Sequence, residues 1–313
     1  MSDTLRDVRL TAIRYAGQRV NVYELTPLDG RPAEHLGPGT HVDVELADGL
    51  LRQYSLAELR DDAWVVAVQH ERASRGGSSH LHERARVGDR LRAGAPRNHF
   101  PLDEGAGHSV FIAGGIGITP MLPMIERLAA RGASWELHYA WRAGSVPFER
   151  ALRRHGARVT LAVRDAPGYR RLEIEQLVAD APAGSTFYCC GPEPMLASFQ
   201  AATQGLSEGR ARVEHFAAAA PIAAEGGFVV ALAKLGREFA ITPGQTILEA
   251  LLDHGIDAPH SCQQGICGAC ETRVLEGVPD HRDGILTPRE RDSNTTMMIC
   301  CSGSLTPRLV LDR

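Results

Sequence analysis

The spacing of apolar residues along the chain is the first indication of its organisation. Up to residue 104, apolar and polar positions alternate in short runs, as at 20–25, 41–46 and 63–68, and turn-forming residues separate the runs. Successive side chains of a strand point to opposite faces, so one face of each run can be buried. The pattern predicts an antiparallel sheet or a small barrel.

A different pattern occupies residues 109–216. Short apolar runs at 110–113 and 135–140 predict buried strands, and amphipathic stretches that predict helices lie between such runs. Strands that alternate with helices are typical of a parallel α/β sheet, because each parallel connection needs a crossover.

The last segment begins after a stretch rich in Ala and Pro at 217–224, which predicts a linker. Thr246 and Glu249 then form a capping-box pattern at the start of a predicted helix, and Gly255 is predicted to end it. The residues of this helix predicted to face a core are Ile247, Leu248, Leu251 and Leu252. The segment as a whole is typical of a short α+β domain.

The chain is long enough for several domains. Its 313 residues suffice for two or three domains that each bury their own core. The predicted fold class is therefore multidomain, with an antiparallel β-barrel at 1–104, a parallel-sheet α/β domain at 105–220 and an α+β domain at 221–313.

Composition narrows the classes of function. No run approaches the roughly 18 apolar residues of a transmembrane helix, and the N-terminus has charges where a signal peptide has an apolar stretch. The net charge is only −4, without the basic block that nucleic-acid binding favours. Residues 224–313 carry 12 acidic and 8 basic residues, whereas the rest carries 26 of each, so the last segment holds the whole negative excess. Seven cysteines without a secretion signal indicate a reducing compartment, and we expect the cytoplasm.

Five of the cysteines fall in the last segment with a distinctive spacing. Cys262, Cys267 and Cys270 form the pattern C-x4-C-x2-C, and Cys300 and Cys301 follow thirty residues after it. Three cysteines so spaced and a distant fourth are the signature of a plant-type [2Fe–2S] cluster. A disulfide framework, a structural zinc site and buried apolar cysteines are the alternatives, but zinc sites usually have two C-x2-4-C pairs and this segment has one.

The residues between the cysteines suit such a cluster. Gly265 and Gly268 allow positive backbone angles and a close approach of backbone N–H groups to the sulfur atoms. Either Cys300 or Cys301 can be the fourth ligand. Cys300 is favoured because Cys300 to Ser302 resembles the C-x-Ser ending of plant-type ferredoxins.

Two glycine-containing turns stand out in the middle segment. One is at 114–120, between a predicted strand and a predicted helix, with Pro120 suited to the first helical turn. The other, at 190–195, again joins a strand to a helix. A turn of this kind places free N–H groups against a pyrophosphate, although a tight turn without a ligand is the alternative. Two such turns at the carboxyl ends of parallel strands mark the expected ligand crevice.

The first segment contains residues that suit flavin mononucleotide. Arg52 and the glycine amides of residues 75–79 can hold a phosphate, Tyr54 offers a flat face for stacking, and Ser55 can bond a ring nitrogen. Taken singly, Tyr54 also suits a core position and Arg52 also suits the surface.

These motifs together resemble the phthalate dioxygenase reductase family, which includes vanillate O-demethylase reductases, over nearly the whole chain. The flavin-domain motifs of that family are matched by Arg52 to Ser55, by Arg75 to Ser78 and by Pro96-Arg97-Asn98-His99-Phe100. The nucleotide-domain motifs G-G-I-G-I-T-P, C-G-P-x-x-M and E-x-F are matched at 114–120, at 190–195 and at Glu214 to Phe216. The cysteine segment matches the ferredoxin domain of the family, which has the β-grasp fold.

The resemblance implies a set of cofactor-binding residues and no catalytic acid or base. Those at the flavin are Arg52, Gln53, Tyr54, Ser55, Arg75, Gly76, Gly77, Ser78 and Phe216. Those at the nucleotide are Gly115, Gly117, Thr119, Pro120, Arg142, Cys190, Gly191, Pro192 and Met195. The implied cluster ligands are Cys262, Cys267, Cys270 and Cys300. Cys190 is expected to pack in the nicotinamide slot as a small side chain whose thiol chemistry is not used.

The implied function is that of a reductase component. Electrons are expected to pass from NADH through FMN and the [2Fe–2S] cluster to the terminal oxygenase of a Rieske-type aromatic oxygenase or O-demethylase system. The alternatives are a haem or di-iron monooxygenase as acceptor, and a redox-sensing regulator. No carboxylate follows the strand at 135–140, where NADH-selective sites tend to have one, and Arg142 there can bond a 2′-phosphate. The resemblance nevertheless favours NADH.

Overall fold

The computed structural model describes residues 5–46, 49–71, 74, 76–94, 96–216, 222–223 and 225–313. Contacts between residues divide the chain into two compact units, of which the first extends to Glu214 and the second runs from His215 to Arg313. The first unit contains both a barrel and an α/β sheet, so the three-domain division at 1–104, 105–220 and 221–313 stays a prediction. Among the described residues, none of the helices has the length and apolar character needed to cross a bilayer.

The N-terminal part of the first unit is a closed antiparallel barrel, as the alternating pattern predicts. Its strands are β1 (Arg6–Gly17), β2 (Val20–Pro27), β3 (His41–Glu45), β4 (Leu51–Glu58), β5 (Trp64–Gln69) and β6 (Arg90–Ala93). They follow one another around the barrel in the order β1-β2-β5-β4-β3-β6, and β1 also pairs with β6. Trp64, Tyr23 and Leu10 are buried at its centre.

A short helical segment lies between β5 and β6. It begins as a helical turn, α1 (Gly77–Ser79), and continues as a π-helix over His80–Arg84. The predicted phosphate loop thus runs directly into the start of this helix. The motif Arg52 to Ser55 lies within β4, which pairing with β3 and β5 extends to Glu58.

The second half of the first unit is a five-stranded parallel sheet, as predicted. Its strands are β7 (Ser109–Gly114), β8 (Trp135–Trp141), β9 (Val159–Val163), β10 (Thr186–Cys190) and β11 (Ala211–Glu214), in the order β11-β10-β7-β8-β9. Its helices are α2 (Met121–Ala130), α3 (Glu149–Arg153), α4 (Ile174–Asp180) and α5 (Glu193–Thr203). The central strand β7 is buried throughout, since its side chains pack into apolar clusters on both faces.

The barrel and the parallel sheet share one hydrophobic core within this unit. Val20 and Val65 of the barrel belong to the same buried cluster as Phe111 of β7 and Met121 of α2. Helix α2, which follows the glycine turn after β7, also contacts barrel strand β4. The strand that carries the predicted flavin motif and the turn that carries the predicted nucleotide motif therefore belong to one packed body.

The second unit has the α+β fold predicted for the last segment. Its strands are β12 (Phe228–Leu232), β13 (Arg237–Ile241), β14 (Glu271–Glu276), β15 (Pro279–Asp280), β16 (Thr296–Met298), β17 (Gly303–Ser304) and β18 (Arg308–Leu311). Five of them form a mixed sheet in the order β13-β12-β18-β14-β16, and β15 pairs with β17.

The two helices of the second unit are α6 (Ile247–Asp253) and α7 (Pro288–Ser293), and both begin with a capping box. The box predicted at Thr246 and Glu249 is confirmed, since each side chain bonds the backbone N–H of the other residue. Ile247, Leu248 and Leu251 are buried as expected, but Leu252 is 37% exposed because it lies on the outer side of α6.

Candidate functional site

The two glycine turns of the parallel sheet lie side by side. Strands β7 and β10 are neighbours in register, with Ala113 paired to Cys190, so the turns that follow them meet at the same edge. A methyl group on Gly117 would lie 2.2 Å from the Cys190 carbonyl oxygen, and one on Gly114 would lie 2.6 Å from Pro192 Cδ. Only glycine permits this approach, so the predicted juxtaposition of the turns is built into their backbone.

The first turn presents backbone to the space beside the barrel. Gly115 has a φ of +59°, and a methyl group there would lie 3.8 Å from Gln69 Oε1 at the end of β5. Thr119 is buried, and its Oγ1 donates to the Ile116 carbonyl oxygen at 3.0 Å, which fixes the turn. Pro120 caps α2, whose first N–H groups follow it. The turn thus has the free amides and the positive helix end that suit a pyrophosphate.

The second turn carries a buried thiol. Cys190 is 1% exposed at the carboxyl end of β10. Burial, followed by the nearby Glu214 and Cys189, raises the pKa of the Cys190 thiol well above its usual value, so this thiol stays neutral at ordinary pH. Gly191 packs against Met195, where a methyl group on the glycine would lie 2.7 Å from Met195 Sδ.

Glu214 is a candidate residue to which the sequence analysis gave no role. It ends β11 and pairs with Cys190 of β10, and its Oε2 atom is buried without a hydrogen-bond partner. Burial raises the pKa of its carboxyl to about 8. Glu214 is the first residue of the E-x-F motif, which gives it no role by itself. Only the pairing of β11 with β10 shows that its carboxyl lies beside Cys190.

The two flavin motifs of the barrel are brought together. A methyl group on Gly77 would lie 2.7 Å from Arg52 Cγ, so the arginine side chain runs along the backbone of the glycine loop. Ser55 is 6% exposed, and Tyr54 is half-buried with its ring against the barrel core. A tyrosine supported on one side by the core fits a stacking role for its other side. Gln53 lies between Arg52 and Tyr54 on β4, and it is paired with Asp43 of β3.

The glycine loop beside Arg52 is organised by serine hydroxyl groups. Ser74 Oγ accepts from the backbone N–H of Gly76 and of Ser79, each at 3.2 Å, and Ser78 Oγ accepts from the N–H of Glu71 at 3.1 Å. Gly76 has a φ of +94°, which glycine alone adopts readily. This loop fits a phosphate group. Arg75, which the sequence assigns to the same site, lies outside the described residues.

The P-R-N-x-F motif supports the barrel. Arg97 forms an ion pair with Asp43, with 2.6 Å between Nη2 and Oδ1, and both side chains are largely buried. Asn98 donates to the carbonyl oxygens of Leu36 and Pro38 and accepts from the N–H of Phe100. These contacts explain the motif without a ligand.

Five cysteine thiols meet in the second unit. Cys267, Cys270, Cys300 and Cys301 are each at most 2% exposed, and Cys262 is partly buried. The Cys262 thiol interacts with those of Cys267 and Cys300, and the Cys300 thiol interacts with those of Cys262, Cys270 and Cys301. Thiols distant in sequence therefore converge as the predicted spacing requires.

The backbone around these thiols is turned toward sulfur. The N–H of Gln264 donates to Cys262 Sγ at 3.2 Å. The thiols of Cys262, Cys270 and Cys301, and then the backbone amide of Gly265, lower the pKa of Cys300. Cys301 Sγ instead faces the Met298 carbonyl oxygen at 3.7 Å. Contact with the thiols of Cys262 and Cys270 and with the Gly265 amide fits Cys300 for the role of the fourth ligand.

The donor set fits a two-iron cluster better than a single metal ion. Across the described part of the chain, no group of three or more His, Cys, Asp or Glu side chains is arranged to hold one ion. A [2Fe–2S] cluster instead needs two thiolates on each of two irons. Gly265 and Gly268 have φ values of +69° and +71°, as the close wrapping of such a group requires.

Two further predicted residues are exposed. Arg142 follows β8 and is exposed. Phe216 belongs to the second compact unit and is 37% exposed. The roles suggested for these two residues stay predictions.

Comparison with known proteins agrees with this arrangement. The 2Fe-2S iron-sulfur cluster binding domain matches residues 230–303. Over 311 residues the chain is 48% identical to the phenoxybenzoate dioxygenase subunit beta of Ectopseudomonas oleovorans, a match that covers 97% of this chain and 96% of that protein.

Solved structures extend the likeness to the fold. Phthalate dioxygenase reductase, a modular structure for electron transfer from pyridine nucleotides to [2Fe–2S], is 31% identical, with a TM-score of 0.71 over 99% of this chain and 98% of that one. An intact type IV self-sufficient cytochrome P450 monooxygenase is 38% identical, with a TM-score of 0.90 over 99% of this chain. This chain spans only 41% of that P450.

The relatives and the geometry point to the same chemistry. The chain is an oxidoreductase that transfers electrons as the reductase component of an oxygenase or demethylase system. Its cofactors are NADH, FMN and a [2Fe–2S] cluster, for which the paired glycine turns, the Arg52 and Gly77 corner and the converging thiols provide fitting residues. The chain belongs to the phthalate dioxygenase reductase family.

Proposed function

We propose that this chain delivers electrons from NADH to the terminal component of a Rieske-type aromatic oxygenase or O-demethylase. One observation carries the proposal: the Gly115 turn after β7 faces Gln69 of the barrel inside a single packed unit. A nicotinamide held by the turn and an isoalloxazine held by the barrel would then be neighbours. The name of the phenoxybenzoate dioxygenase subunit supports an aromatic oxygenase as the partner.

The residues of the nicotinamide side would act by binding and by excluding water. Gly115 and Gly117 leave room for the dinucleotide, and buried Thr119 and Cys190 line the corner where the two turns meet. Hydride transfer needs no side-chain acid or base, so alignment of the reacting atoms dominates its rate. The neutral Cys190 thiol would serve as a small packing group in this corner. The other proposed contacts on this side are Pro120, Arg142, Gly191, Pro192 and Met195.

The residues of the flavin side would fix the position of FMN. Arg52 and the amide of Gly77 would hold its phosphate next to Gly76, whose N–H bonds Ser74 Oγ and shapes the loop, and Tyr54 would stack on its ring system. Buried Ser55 would lie near the reacting ring nitrogen. A flavin accepts two electrons together and releases them one at a time, which suits it to join a hydride donor to a one-electron carrier. The further proposed contacts are Gln53, Arg75, Ser78 and Phe216.

The second unit would hold the one-electron carrier. We assign Cys262, Cys267, Cys270 and Cys300 as its ligands, because the Cys300 thiol interacts with those of Cys262 and Cys270, whereas Cys301 Sγ faces the Met298 carbonyl oxygen. The proposed division into domains at 1–104, 105–220 and 221–313 assigns one group to each domain. We expect the protein in the cytoplasm, where the three cysteines outside this ligand set would stay reduced.

Purified protein tests the proposal directly. We expect one FMN and two irons with two sulfides per chain, and anaerobic NADH should reduce both chromophores, with the flavin first. The variant Cys270→Ser should keep FMN and its reduction by NADH but lose iron and electron transfer to cytochrome c. Protein that binds iron but no FMN would contradict the proposal. Failure of NADH to support cytochrome c reduction would instead favour a redox-sensing regulator.

A haem-containing monooxygenase is the second candidate acceptor. The self-sufficient P450 monooxygenase supports it, because that single chain includes a region 38% identical to this one. Mixing the NADH-reduced protein with a Rieske oxygenase component and with a P450 component would separate the two. We expect rapid reduction of the Rieske centre, and preferential reduction of the haem would favour the second candidate.

A further inference from the structure

A buried polar group in the second unit lies beside the cysteine loop and has no role in the function proposed above. The Asp283 side chain has no exposed surface, and the side chain of His281 is 9% exposed. Among the described side chains, both ring nitrogens of His281, Asp283 Oδ2 and Arg291 Nε are buried atoms without a hydrogen-bond partner. His281 Nδ1 is nevertheless 3.8 Å from Asp283 Oδ2. Buried polar atoms are rarely left unbonded, so this concentration calls for an explanation.

Asp283 folds the turn in which it lies. Its Oδ1 atom accepts from the backbone N–H of Ile285 at 3.0 Å and of Leu286 at 2.8 Å. Arg291, on helix α7, donates to the Asp283 carbonyl oxygen and holds its guanidinium 3.8 Å from Oδ1. Although burial alone would raise it, the pKa of Asp283 is lowered by His281, by these N–H groups and by Arg291, so the group is a carboxylate.

The turn packs directly on the cysteine loop. The N–H of Gly284 donates to the Gly265 carbonyl oxygen at 2.9 Å. A methyl group on Gly265 would lie 2.8 Å from Asp283 Cα and 2.6 Å from Cys301 Sγ, so the two loops touch through backbone. The backbone amide of the same Gly265 bonds Cys300. A short chain of contacts therefore leads from Asp283 through Gly284 and Gly265 to Cys300.

We propose that Asp283 is a positioning residue for the iron–sulfur site, which orients the Gly265 amide toward Cys300 and whose buried charge, balanced by Arg291, sets the reduction potential. The inference rests on the ligand set proposed above. Iron–sulfur potentials depend on hydrogen bonds to sulfur, on nearby charge and on solvent exposure. Adding an electron adds negative charge, so a buried carboxylate opposes reduction and a neighbouring cation favours it.

The opposite signs of the two charges give a sharp test on the full-length holoprotein. Asp283→Asn keeps an oxygen that can accept the two N–H bonds but removes the charge, so the midpoint potential should rise. We expect at least a tenfold shift of the reduction equilibrium, which is 59 mV for a one-electron couple. Arg291→Gln should lower the potential. Asp292→Asn, an exposed carboxylate on the same helix, is the matched control and should shift the equilibrium less than twofold.

The measurements are a redox titration followed by absorption and EPR, with iron and sulfide contents for each variant. Unchanged potentials in Asp283→Asn and Arg291→Gln, or shifts of both in the same direction, would overturn the inference. If Asp283→Asn fails to retain iron, Arg291→Gln alone decides by the sign of its shift, since that side chain is 38% exposed and its loss is easier to tolerate. Wild-type protein without iron would defeat the proposed function instead, so the two failures are distinguishable.

Discussion

Gly117 lies against the backbone of Cys190 so closely that a single methyl group would reach within 2.2 Å of the Cys190 carbonyl oxygen. The two residues are 73 positions apart in the chain, one in the turn after β7 and the other at the end of β10. Because both partners at the contact are backbone, neither can move aside as a flexible side chain would. The contact thus fixes the width of the crevice in which we place the nicotinamide.

Gly117→Ala should therefore impair NADH binding selectively. The added methyl group forces the two turns apart, so we expect KM for NADH to rise at least tenfold, about 1.4 kcal/mol of lost binding, while FMN and iron contents stay unchanged. Gly107→Ala is the matched control, because nothing lies within 4 Å of a methyl group there. Steady-state kinetics and NADH titrations measure the effect, and unaltered affinity in a folded Gly117→Ala variant would disprove the role of this contact.

The choice between Cys300 and Cys301 as the fourth ligand can be decided by paired substitutions. Cys300→Ser removes the thiol that interacts with Cys262 and Cys270, so we expect most of the iron and the cluster absorption to be lost. Cys301→Ser should keep both, because the Cys301 thiol faces the Met298 carbonyl oxygen. Iron and sulfide analysis with EPR of the reduced protein provides the measurement. The reverse pattern would move the ligand assignment to Cys301.

Glu214 should make the stability of the first unit depend on pH. Its pKa is about 8 in the folded chain against a model-compound value of 4.5, so the folded state binds this proton more tightly than the unfolded state does. The stabilisation is complete below pH 4.5 and is lost as the pH rises through about 8. Glu214→Gln cannot lose a proton and so removes this pH dependence. Between pH 4.5 and about 8, the free energy of unfolding of the variant should rise relative to that of the wild type by at most about 1.4 kcal/mol per pH unit.

Unfolding in denaturant at several pH values, followed by flavin fluorescence, would measure this gain. Glu208→Gln is the control, because Glu208 is exposed just before the start of β11, the strand that Glu214 ends. A constant difference between Glu214→Gln and wild type across the range would show that the Glu214 carboxyl is not held protonated by burial.

Much of the architecture could be predicted from local pattern. The strand periodicity, the alternation of strand and helix, and the capping box at Thr246 are local signals, and the barrel, the parallel sheet and helix α6 follow them. The prediction that Leu252 faces the core was wrong, because periodicity alone does not give the width of the buried face of a helix.

The candidate site was predictable where a motif is contiguous and not where it depends on distant contacts. The cysteine spacing identifies its chemistry by itself, whereas the glycine turns indicate theirs only together with the other motifs of the family. Nothing local to Glu214 shows that its carboxyl is buried beside Cys190, since that depends on the pairing of β10 with β11. Similarly, nothing in the sequence around Arg97 shows that its side chain is largely buried in an ion pair with Asp43.

The Arg97 and Asp43 pair leads to a prediction on stability. Their side chains are 15% and 6% exposed, so removing the arginine leaves an uncompensated carboxylate inside the barrel. Arg97→Met should therefore cost about 3–5 kcal/mol of unfolding free energy and release FMN at lower denaturant concentration. Arg92→Met is the control, because Arg92 pairs with Glu45 from a side chain that is 53% exposed, and we expect it to cost less than about 1 kcal/mol.

A second substitution separates the ion pair from packing. If the cost arises from the unpaired charge, adding Asp43→Asn to Arg97→Met should recover most of the lost stability, since a neutral amide is cheaper to bury than a lone carboxylate. If the cost arises from lost packing of the arginine stem, the double variant should be no more stable than Arg97→Met. Denaturant unfolding of the four proteins, wild type, both single variants and the double variant, measures the coupling between the two residues. A coupling near zero would mean that the Arg97 and Asp43 ion pair itself does not stabilise the barrel.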